Sequence, residues 1–190
     1  MNHSKQYPII GITMGDPLGI GPEILIKTLE NDQIHQACRP LVLGDIRVLE
    51  DAASLLGRSI DIHPVSHPGQ GVYRSGTLDI LALSDLEGKC ARMDGPTKET
   101  GRAMIAYVTE GIHLARNGLI DGIATAPITK TAMKLAGSAF HGHTELLASQ
   151  TGADDYAMML AGDRLKVVLV TIHIPLSRVH QDLSSDKIVK

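Results

Sequence analysis

The chain has 190 residues, 43% of them hydrophobic and 21% charged, with a formal net charge of −3 at pH 7. That length suits one domain with a complete core, or one domain and part of a second. The weakly acidic balance, the single Phe and the absence of Trp argue against nucleic-acid binding. No apolar run in the sequence approaches the roughly 20 residues that span a bilayer, and two cysteines are too few for a disulfide framework. We therefore expect a soluble cytoplasmic protein with reduced thiols and no membrane or nucleic-acid partner.

The first predicted strand, residues 8–14, runs into a glycine-containing loop and then into a helix predicted over residues 22–29. Such a layout can hold a phosphate or carboxylate on backbone N–H groups. The glycine spacing departs from the dinucleotide-binding fingerprint and no P-loop lysine follows, so a simple tight turn is the alternative. Asp16 lies inside the loop, where a carboxylate is costly unless it has a polar role. We consider Asp16 a possible anion or substrate contact.

The middle of the chain continues an alternation of strands and helices. Strand patterns occur at residues 41–45, 60–65 and 78–83, and a helix pattern at residues 48–56 ends at Gly57. Residues 66–75 are predicted to be a loop, and residues 87–95 a polar crossing between layers. His63 and His67, in or beside the loop, are expected to be solvated rather than to be ligands. The alternation is typical of an α/β/α sandwich with a largely parallel sheet.

A long helix is predicted to start after Thr97 and to stop at Gly118. One face of it repeats at helical spacing: Gly101, Ile105, Val108, Ile112 and Ala115. A small-residue strand at 120–126 follows, and residues 127–130 turn the chain into a short helix that ends at Gly137. Lys130 lies near the start of this helix, where its ammonium group could serve an anion site or simply be solvated.

Two imidazoles and a hydroxyl follow that helix at His141, His143 and Thr144. Residues 144–148 can open a helix whose free N–H groups favour an anion. A third imidazole, His173, stands at the end of the apolar run 167–172. We interpret this run as a buried strand that carries His173 to the carboxyl edge of a sheet, where open α/β folds bind ligands.

These histidines allow two interpretations. In one, His141, His143 and His173 form a compact metal site that leaves one coordination position open. In the other, which we favour because Gly142 and the approaching helix make the first segment a loop, His143 donates a hydrogen bond to an anionic or hydroxylated ligand. His173 is then one ligand of a metal whose other ligands lie elsewhere.

The last part of the chain contains a predicted hairpin and a helix start. Apolar runs at residues 156–161 and 166–173 flank a short polar junction, which indicates that part of the sheet is antiparallel. Residues 184–186 are typical of a helix start, yet only four residues follow, too few for an independent helix. We therefore expect residues 1–190 to be the N-terminal portion of a longer protein.

Four motifs together resemble the 4-hydroxythreonine-4-phosphate dehydrogenase family of vitamin B6 biosynthesis (PdxA). They are ITMGDPLGIGPE at residues 12–23, ATAPITK at 124–130, GHTE at 142–145 and TIHIPL at 171–176. They occur in the family's order over nearly the whole chain. The resemblance implies a homodimeric oxidoreductase of the isocitrate/isopropylmalate-dehydrogenase-like fold, with two α/β/α domains and an active site in the cleft between them. Residues 1–190 would then hold the first domain and the start of the second, with the boundary left open.

The resemblance also implies roles for particular residues. His143 and Thr144 would contact the substrate, and His173 would be the first of three metal-binding histidines. The other metal ligands and most of the NAD site would lie beyond Lys190, and no catalytic residue is assigned. The implied reaction is NAD-dependent oxidation of 4-hydroxythreonine 4-phosphate, a phosphorylated hydroxy acid, with decarboxylation. A divalent cation (Zn, Mg, Mn or Co) would supply Lewis acidity at the substrate hydroxyl.

Other activities stay open at this point. A branch that looks similar acts on 4-phospho-D-threonate or 4-phospho-D-erythronate, and residues 155–160 and 165–168 resemble that branch at least as well. Alternatives of another class are a phosphate- or metal-binding module without redox chemistry and a phosphate acyltransferase-like protein. Reduction of NAD would argue against the binding module, and metal dependence would argue against the acyltransferase.

Overall fold

The computed structural model describes residues 7–86, 94–140 and 142–189. The strands in these ranges are β1 (Ile9–Thr13), β2 (Arg39–Gly44), β3 (Asp61–Pro64), β4 (Thr77–Ala82), β5 (Gly122–Thr125), β6 (Met158–Ala161) and β7 (Lys166–Leu169). The helices are α1 (Gly21–Leu29), α2 (Asp32–Ala37), α3 (Ile46–Leu55), α4 (Lys98–Arg116), α5 (Lys130–Leu135), α6 (His143–Thr151), α7 (Val179–Asp182) and α8 (Ser185–Val189), with short 3-10 turns at Pro68–Gln70 and Leu176–Arg178. The chain divides into two compact units, Met1–Thr151 and Gly152–Lys190.

The first unit contains a five-stranded parallel sheet in the order β3-β4-β2-β1-β5. Next to the edge strand β5, Ile10 of β1 pairs with Pro40 of β2 on one side and with Gly122 of β5 on the other. The chain therefore moves to one side of β1 for β2 to β4 and crosses to the other side for β5. Such a reversal of strand order is a topological switch point, and open α/β folds bind ligands outside the carboxyl ends of the strands there.

Helices cover both faces of this sheet. Residues 40–44 of β2 are buried one after another, which requires cover on both faces. Helix α4 packs across β1, β2 and β5, while α1 packs against α3. Large core side chains such as Leu41, Leu49 and Ile80 are fully buried. The predicted α/β class, with helices flanking a largely parallel sheet, is confirmed.

The predicted helix ends are confirmed in detail. Thr97 caps α4 by accepting a hydrogen bond from the Thr100 N–H, and the Thr100 hydroxyl accepts one from the Thr97 N–H. Gly57, Gly118 and Gly137 follow the ends of α3, α4 and α5 with φ values of 61, 67 and 81°. A positive φ costs glycine little, so each residue ends its helix in the way that the sequence predicts.

Two features differ from the expectations. Helix α2 is not predicted, because it has six residues and no buried side chain that would give an apolar periodicity. The second is the buried strand predicted at residues 167–172. In the structure β7 ends at Leu169, pairs only with β6 in an antiparallel hairpin, and is largely exposed. The hairpin is therefore confirmed, but it forms a separate two-stranded sheet and not an antiparallel part of the main sheet. The predicted burial is wrong, since the described residues of this unit supply no second layer to cover the hairpin.

Some expectations fall outside the part of the chain that the structure describes. Most of the polar crossing predicted at residues 87–95 belongs to this group, because residues 87–93 are not described. The same holds for His141. In the described ranges, no helix has the length and apolar character needed to cross a membrane.

Candidate functional site

Two loops meet at the carboxyl ends of the adjacent strands β1 and β5. The Asp16 N–H donates a hydrogen bond to the Pro127 carbonyl oxygen at 3.0 Å. Gly15 has a φ of 76°, and a Cβ at this position would overlap the Pro127 carbonyl oxygen and lie 3.0 Å from the carbonyl carbon of Ala126. Only glycine allows this approach. The structure thus joins the loop that contains Asp16 to the loop that leads into Lys130, at the switch point of the sheet.

The polar partner that Asp16 needs is supplied by its own turn. Asp16 is 4% exposed, and its Oδ1 accepts a hydrogen bond from the Leu18 N–H at 3.0 Å. Its carbonyl oxygen accepts one from the Gly19 N–H at 2.9 Å. These bonds form an Asx turn that delivers the chain to α1. They explain the buried carboxylate without a ligand, so a ligand contact by Asp16 stays a prediction.

Lys130 is the first residue of α5, and it is exposed. The helix is anchored on its other face, where Ala132 and Met133 are buried against Met104 of α4. Helix α5 has only six residues, so an anion there would be bound through the charge of the Lys130 side chain. The structure therefore presents the Lys130 ammonium to solvent next to the joined loops.

His143 is the first residue of α6 and is about half-buried. Its Nε2 is enclosed and has no hydrogen-bond partner among the residues that the structure describes. Burial lowers the pKa of His143 below its ordinary value, because desolvation disfavours the imidazolium form. The ring is therefore neutral at pH 7, with one nitrogen as a donor and the other as an acceptor. Thr144, the next residue, is exposed beside it.

Phe140 links the two helices that carry these residues. It packs against the buried cluster around Met133 of α5 and against a second cluster around Leu146 of α6. Both clusters contain residues of α4, so α5 and α6 share α4 as their platform. This role is not among the predictions from the sequence. The available signal is that Phe140 is the single Phe of the chain and stands immediately before the histidines, where a large aromatic side chain indicates an anchor.

His173 belongs to the second unit, where it is exposed and has a φ of 56°. It follows the end of β7 by three intervening residues, so the strand does not carry it to a sheet edge as predicted. Within the described ranges, no three His, Cys, Asp or Glu side chains lie together in a group that could hold a metal. These ranges thus provide one expected ligand but not a complete metal site. The compact alternative depends on His141, which lies outside them.

His63 is not simply solvated, contrary to the expectation. Its Nδ1 lies 2.7 Å from Oδ1 of Asp79, the residue beside it in the register of β3 and β4. Asp79 is 2% exposed and also accepts hydrogen bonds from the N–H groups of Val72 and Tyr73. The carboxylate therefore ties the 65–76 connection to the sheet. His67 is exposed as expected, and its ring accepts a bond within its own turn.

Asp45 forms a second buried polar group that the sequence analysis does not single out. Its Oδ1 caps α3 by accepting a hydrogen bond from the Val48 N–H. Its Oδ2 accepts from the Ser84 hydroxyl at 2.7 Å and from the Leu86 N–H at 2.9 Å. The Ser84 Oγ also lies 2.6 Å from the Tyr107 hydroxyl. An Asp between a strand and a helix is an N-cap signal, but its long-range partners cannot be read from spacing.

Comparison with known proteins identifies the family. The model of the family described as "Pyridoxal phosphate biosynthetic protein PdxA" matches residues 36–190. The chain belongs to this family. It is 54% identical over 186 residues to a 4-hydroxythreonine-4-phosphate dehydrogenase of Desulforapulum autotrophicum. This alignment covers 98% of the chain and 55% of that protein. It is 40% identical over 178 residues to a D-threonate 4-phosphate dehydrogenase of Cupriavidus necator, covering 91% of the chain and 52% of that protein.

Solved structures agree with the PdxA assignment. The crystal structure of a 4-hydroxythreonine-4-phosphate dehydrogenase from Burkholderia phymatum has a TM-score of 0.88 and 35% identity, over 97% of this chain and 56% of that one. A Klebsiella pneumoniae structure of the same description also has a TM-score of 0.88, with 33% identity. The chain spans about half the length of the relatives that it matches. The predicted resemblance is confirmed, while the individual site residues stay predictions.

Proposed function

We propose that this PdxA-family chain forms part of an NAD-dependent and metal-dependent dehydrogenase of pyridoxal phosphate biosynthesis. The proposed reaction oxidises the secondary alcohol of 4-hydroxythreonine 4-phosphate, with loss of carbon dioxide. The observation that carries the proposal is the 54% identity, over 98% of the chain, to a relative that is named for this substrate. We further propose a cytoplasmic homodimer in which units Met1–Thr151 and Gly152–Lys190 correspond to the first domain and the start of the second.

The residues of the first unit would bind and orient the substrate. Lys130 would supply a positive charge for the phosphate, and the neutral His143 with the Thr144 hydroxyl would supply hydrogen bonds at the start of α6. Two observations support this role: the switch-point position of the loop before Lys130, and the enclosed, unpaired Nε2 of His143. Holding the substrate in one orientation is itself a large part of the rate enhancement. Asp16 would act mainly by holding the turn beside this site.

The metal and NAD parts of the proposal rest on the family. NAD would accept the hydride from the carbon that bears the hydroxyl. His173 is proposed as one metal ligand. The described residues do not complete a metal site, so the other ligands of the proposed metal would lie outside them.

A second candidate substrate is 4-phospho-D-threonate or 4-phospho-D-erythronate. The observation that favours it is the 40% identity to the D-threonate 4-phosphate dehydrogenase of Cupriavidus necator. Both substrates are phosphorylated hydroxy acids, so a site that holds phosphate and hydroxyl groups suits either one. The lower identity places this candidate second.

The test is an assay of NADH formation with an enzyme of the relatives' full length that carries this sequence. The three phosphorylated substrates are compared at equal concentration, with and without a chelator. We expect the highest kcat/KM with 4-hydroxythreonine 4-phosphate and loss of activity on chelation. A higher kcat/KM with 4-phospho-D-threonate would transfer the proposal to the second candidate. Phosphate binding without NADH formation from any substrate would overturn both.

A further inference from the structure

Helices α4 and α5 approach each other backbone to backbone at Gly101. A Cβ at this position would overlap the carbonyl oxygen of Ala132, and it would lie 2.7 Å from the carbonyl carbon and 2.9 Å from the Ala136 Cβ. A carbonyl group in a helix cannot rotate away as the end of a flexible side chain can. Gly101 is also buried in the interior of a helix, where glycine is less favourable than alanine by about 1 kcal/mol. The close approach of α5 is thus a physical reason for glycine at this position.

How closely α5 packs against α4 affects the positions of Lys130 and of the loop before it. The Ala132 carbonyl accepts the hydrogen bond of the Ala136 N–H at 2.9 Å, so a displaced carbonyl would carry its helix with it. Lys130 begins the same helix, two residues before Ala132. Immediately upstream, Pro127 accepts the hydrogen bond from Asp16 that joins the two loops. A shift of α5 would therefore move both Lys130 and this junction.

We propose that Gly101 is a positioning residue for the substrate phosphate. Because Gly101 has no side chain, α5 can pack closely against α4. The Lys130 ammonium and the loop before Lys130 then lie at the distance that a bound phosphate requires. Gly101 touches no substrate and acts through α5 alone. This inference rests on the proposed function, because it takes Lys130 as a phosphate contact.

Gly111 supplies a matched control on the same helix. A Cβ at Gly111 would meet Cδ1 of Leu43 at 3.1 Å and Cδ1 of Ile123 at 3.5 Å, which are side-chain ends that can adjust. Both glycines are buried in α4, so Gly101→Ala and Gly111→Ala gain the same helix propensity. Only Gly101→Ala forces a backbone apart. A difference between the two variants therefore reports the displacement of α5.

The experiment compares wild type, Gly101→Ala, Gly111→Ala and Lys130→Ala in an enzyme of the relatives' full length that carries this sequence. KM for the phosphorylated substrate, inhibition by inorganic phosphate, kcat, the Kd for NAD and Tm are measured. We expect Gly101→Ala to raise KM and the phosphate inhibition constant about tenfold, because misplacement by about 1 Å is costly. Its kcat and NAD affinity should stay within about twofold of wild type, as should all values for Gly111→Ala. If Gly101→Ala does not fold, Met133→Ala, which loosens the same helix from its buried side, is measured instead with the same expectation.

A double variant of Gly101→Ala and Lys130→Ala completes the test. If Gly101 acts through Lys130, the two effects on phosphate inhibition are less than additive in free energy. Additive effects, or equal losses for substrate and NAD with a lowered Tm, would overturn the inference. So would unchanged phosphate inhibition in a folded Gly101→Ala protein when Lys130→Ala weakens it. Unchanged inhibition in Lys130→Ala itself would refute the phosphate role of Lys130, and with it the basis of the inference.

Discussion

His143 shows how the environment of a single side chain defines its chemistry. The residue is half-buried at the start of α6, and its enclosed Nε2 lacks a partner among the described residues. A buried polar atom without a partner loses its hydrogen bond to water, which is costly for the folded protein. A ligand that hydrogen-bonds to this nitrogen would remove that cost. The neutral ring would bind a phosphate by hydrogen bonding, leaving the charge to Lys130.

The lowered pKa of His143 predicts a pH dependence of stability. Between the lowered folded pKa and the unfolded pKa near 6.5, the unfolded chain binds more protons than the folded one. The free energy of unfolding therefore rises with pH through this window and falls as the pH drops below about 6.5. We expect His143→Gln to remove part of this acid destabilisation, as measured by urea unfolding at a series of pH values. His180→Gln, at an exposed histidine, is the control, and an equal effect of both substitutions would contradict the prediction.

Substitutions at the start of α6 should separate substrate binding from cofactor binding. We expect His143→Ala and Thr144→Ala each to weaken substrate binding about tenfold, the loss of one hydrogen bond to a charged group, with little effect on NAD. Isothermal titration calorimetry of the full-length enzyme with each ligand measures this. Thr151→Ala, at the other end of α6, is the matched control. Equal losses for substrate and cofactor would argue against the assignment.

His173 provides a prediction about metal dependence. Because its side chain is exposed, His173→Ala should leave the fold intact, as judged by circular dichroism and Tm. The same change should abolish metal-dependent turnover in the full-length enzyme, since catalytic sites of this kind depend on about three protein ligands. His180→Ala controls for the loss of an exposed histidine. Turnover that survives chelation and metal reconstitution in His173→Ala would remove this residue from the metal site.

The sequence points to individual candidate residues, whose roles stay predictions, but not to how they are arranged. Spacing and side-chain chemistry single out Asp16, Lys130 and His143, and the structure places Lys130 at the start of α5 and His143 at the start of α6. The Asx turn of Asp16 and the contact between Gly101 and Ala132 depend on close approach in three dimensions. Only the glycine inside a helix hints at such a contact in the sequence.

At the scale of elements, the ends of a helix can be predicted from nearby residues, whereas the burial of a strand cannot. The ends of α4 follow from Thr97 and Gly118, because capping and a positive φ are local properties. The run 167–172 is apolar, but whether it is buried depends on a second layer, which is not encoded locally. The same argument applies to His63, whose partner Asp79 lies 16 residues away on a neighbouring strand.

The connection from β3 to β4 should depend on the Asp79 carboxylate. Asp79→Asn exchanges one of the two acceptor oxygens that serve the N–H groups of Val72 and Tyr73 for an amide donor. We expect a loss of about 2 kcal/mol in the free energy of unfolding, with faster proteolysis between residues 65 and 76. Asp51→Asn, at an exposed carboxylate of α3 outside this connection, is the control for the change in charge. Similar losses in the free energy of unfolding of both variants would show that the change in net charge, and not the loss of buried hydrogen bonds, causes the effect.

At the scale of the whole molecule, the two units differ in how well they are buried. The first has a core on both faces of its sheet, whereas none of the described residues after Thr151 is buried. Apolar side chains of the hairpin, including Leu160, Leu165 and Val168, are more than half exposed. A hairpin of this kind is marginal alone in water. The apolar side chains of this hairpin are therefore not covered by the described residues of their own unit.

The 190-residue chain by itself should not bind a divalent metal tightly. His173 is the single ligand of the predicted family set in this sequence, and one imidazole does not make a catalytic zinc-type site. We expect substoichiometric metal after gel filtration, measured by atomic emission spectroscopy, and no NADH formation. A stoichiometric metal that is lost in His141→Ala, His143→Ala and His173→Ala alike would instead support the compact three-histidine site.

The position of β1 between β2 and β5 limits the order in which the sheet can assemble during synthesis. β1 is made first, but the Asp121 carboxylate that accepts the hydrogen bond of its Ile9 N–H lies 112 residues later in the chain. Until β5 has left the ribosome, β1 can pair on one side only, and closing so long a loop is slow. The junction between Asp16 and Pro127 must form later still. The loop after the first strand is thus translated early and acquires its working shape only after two thirds of this chain exist.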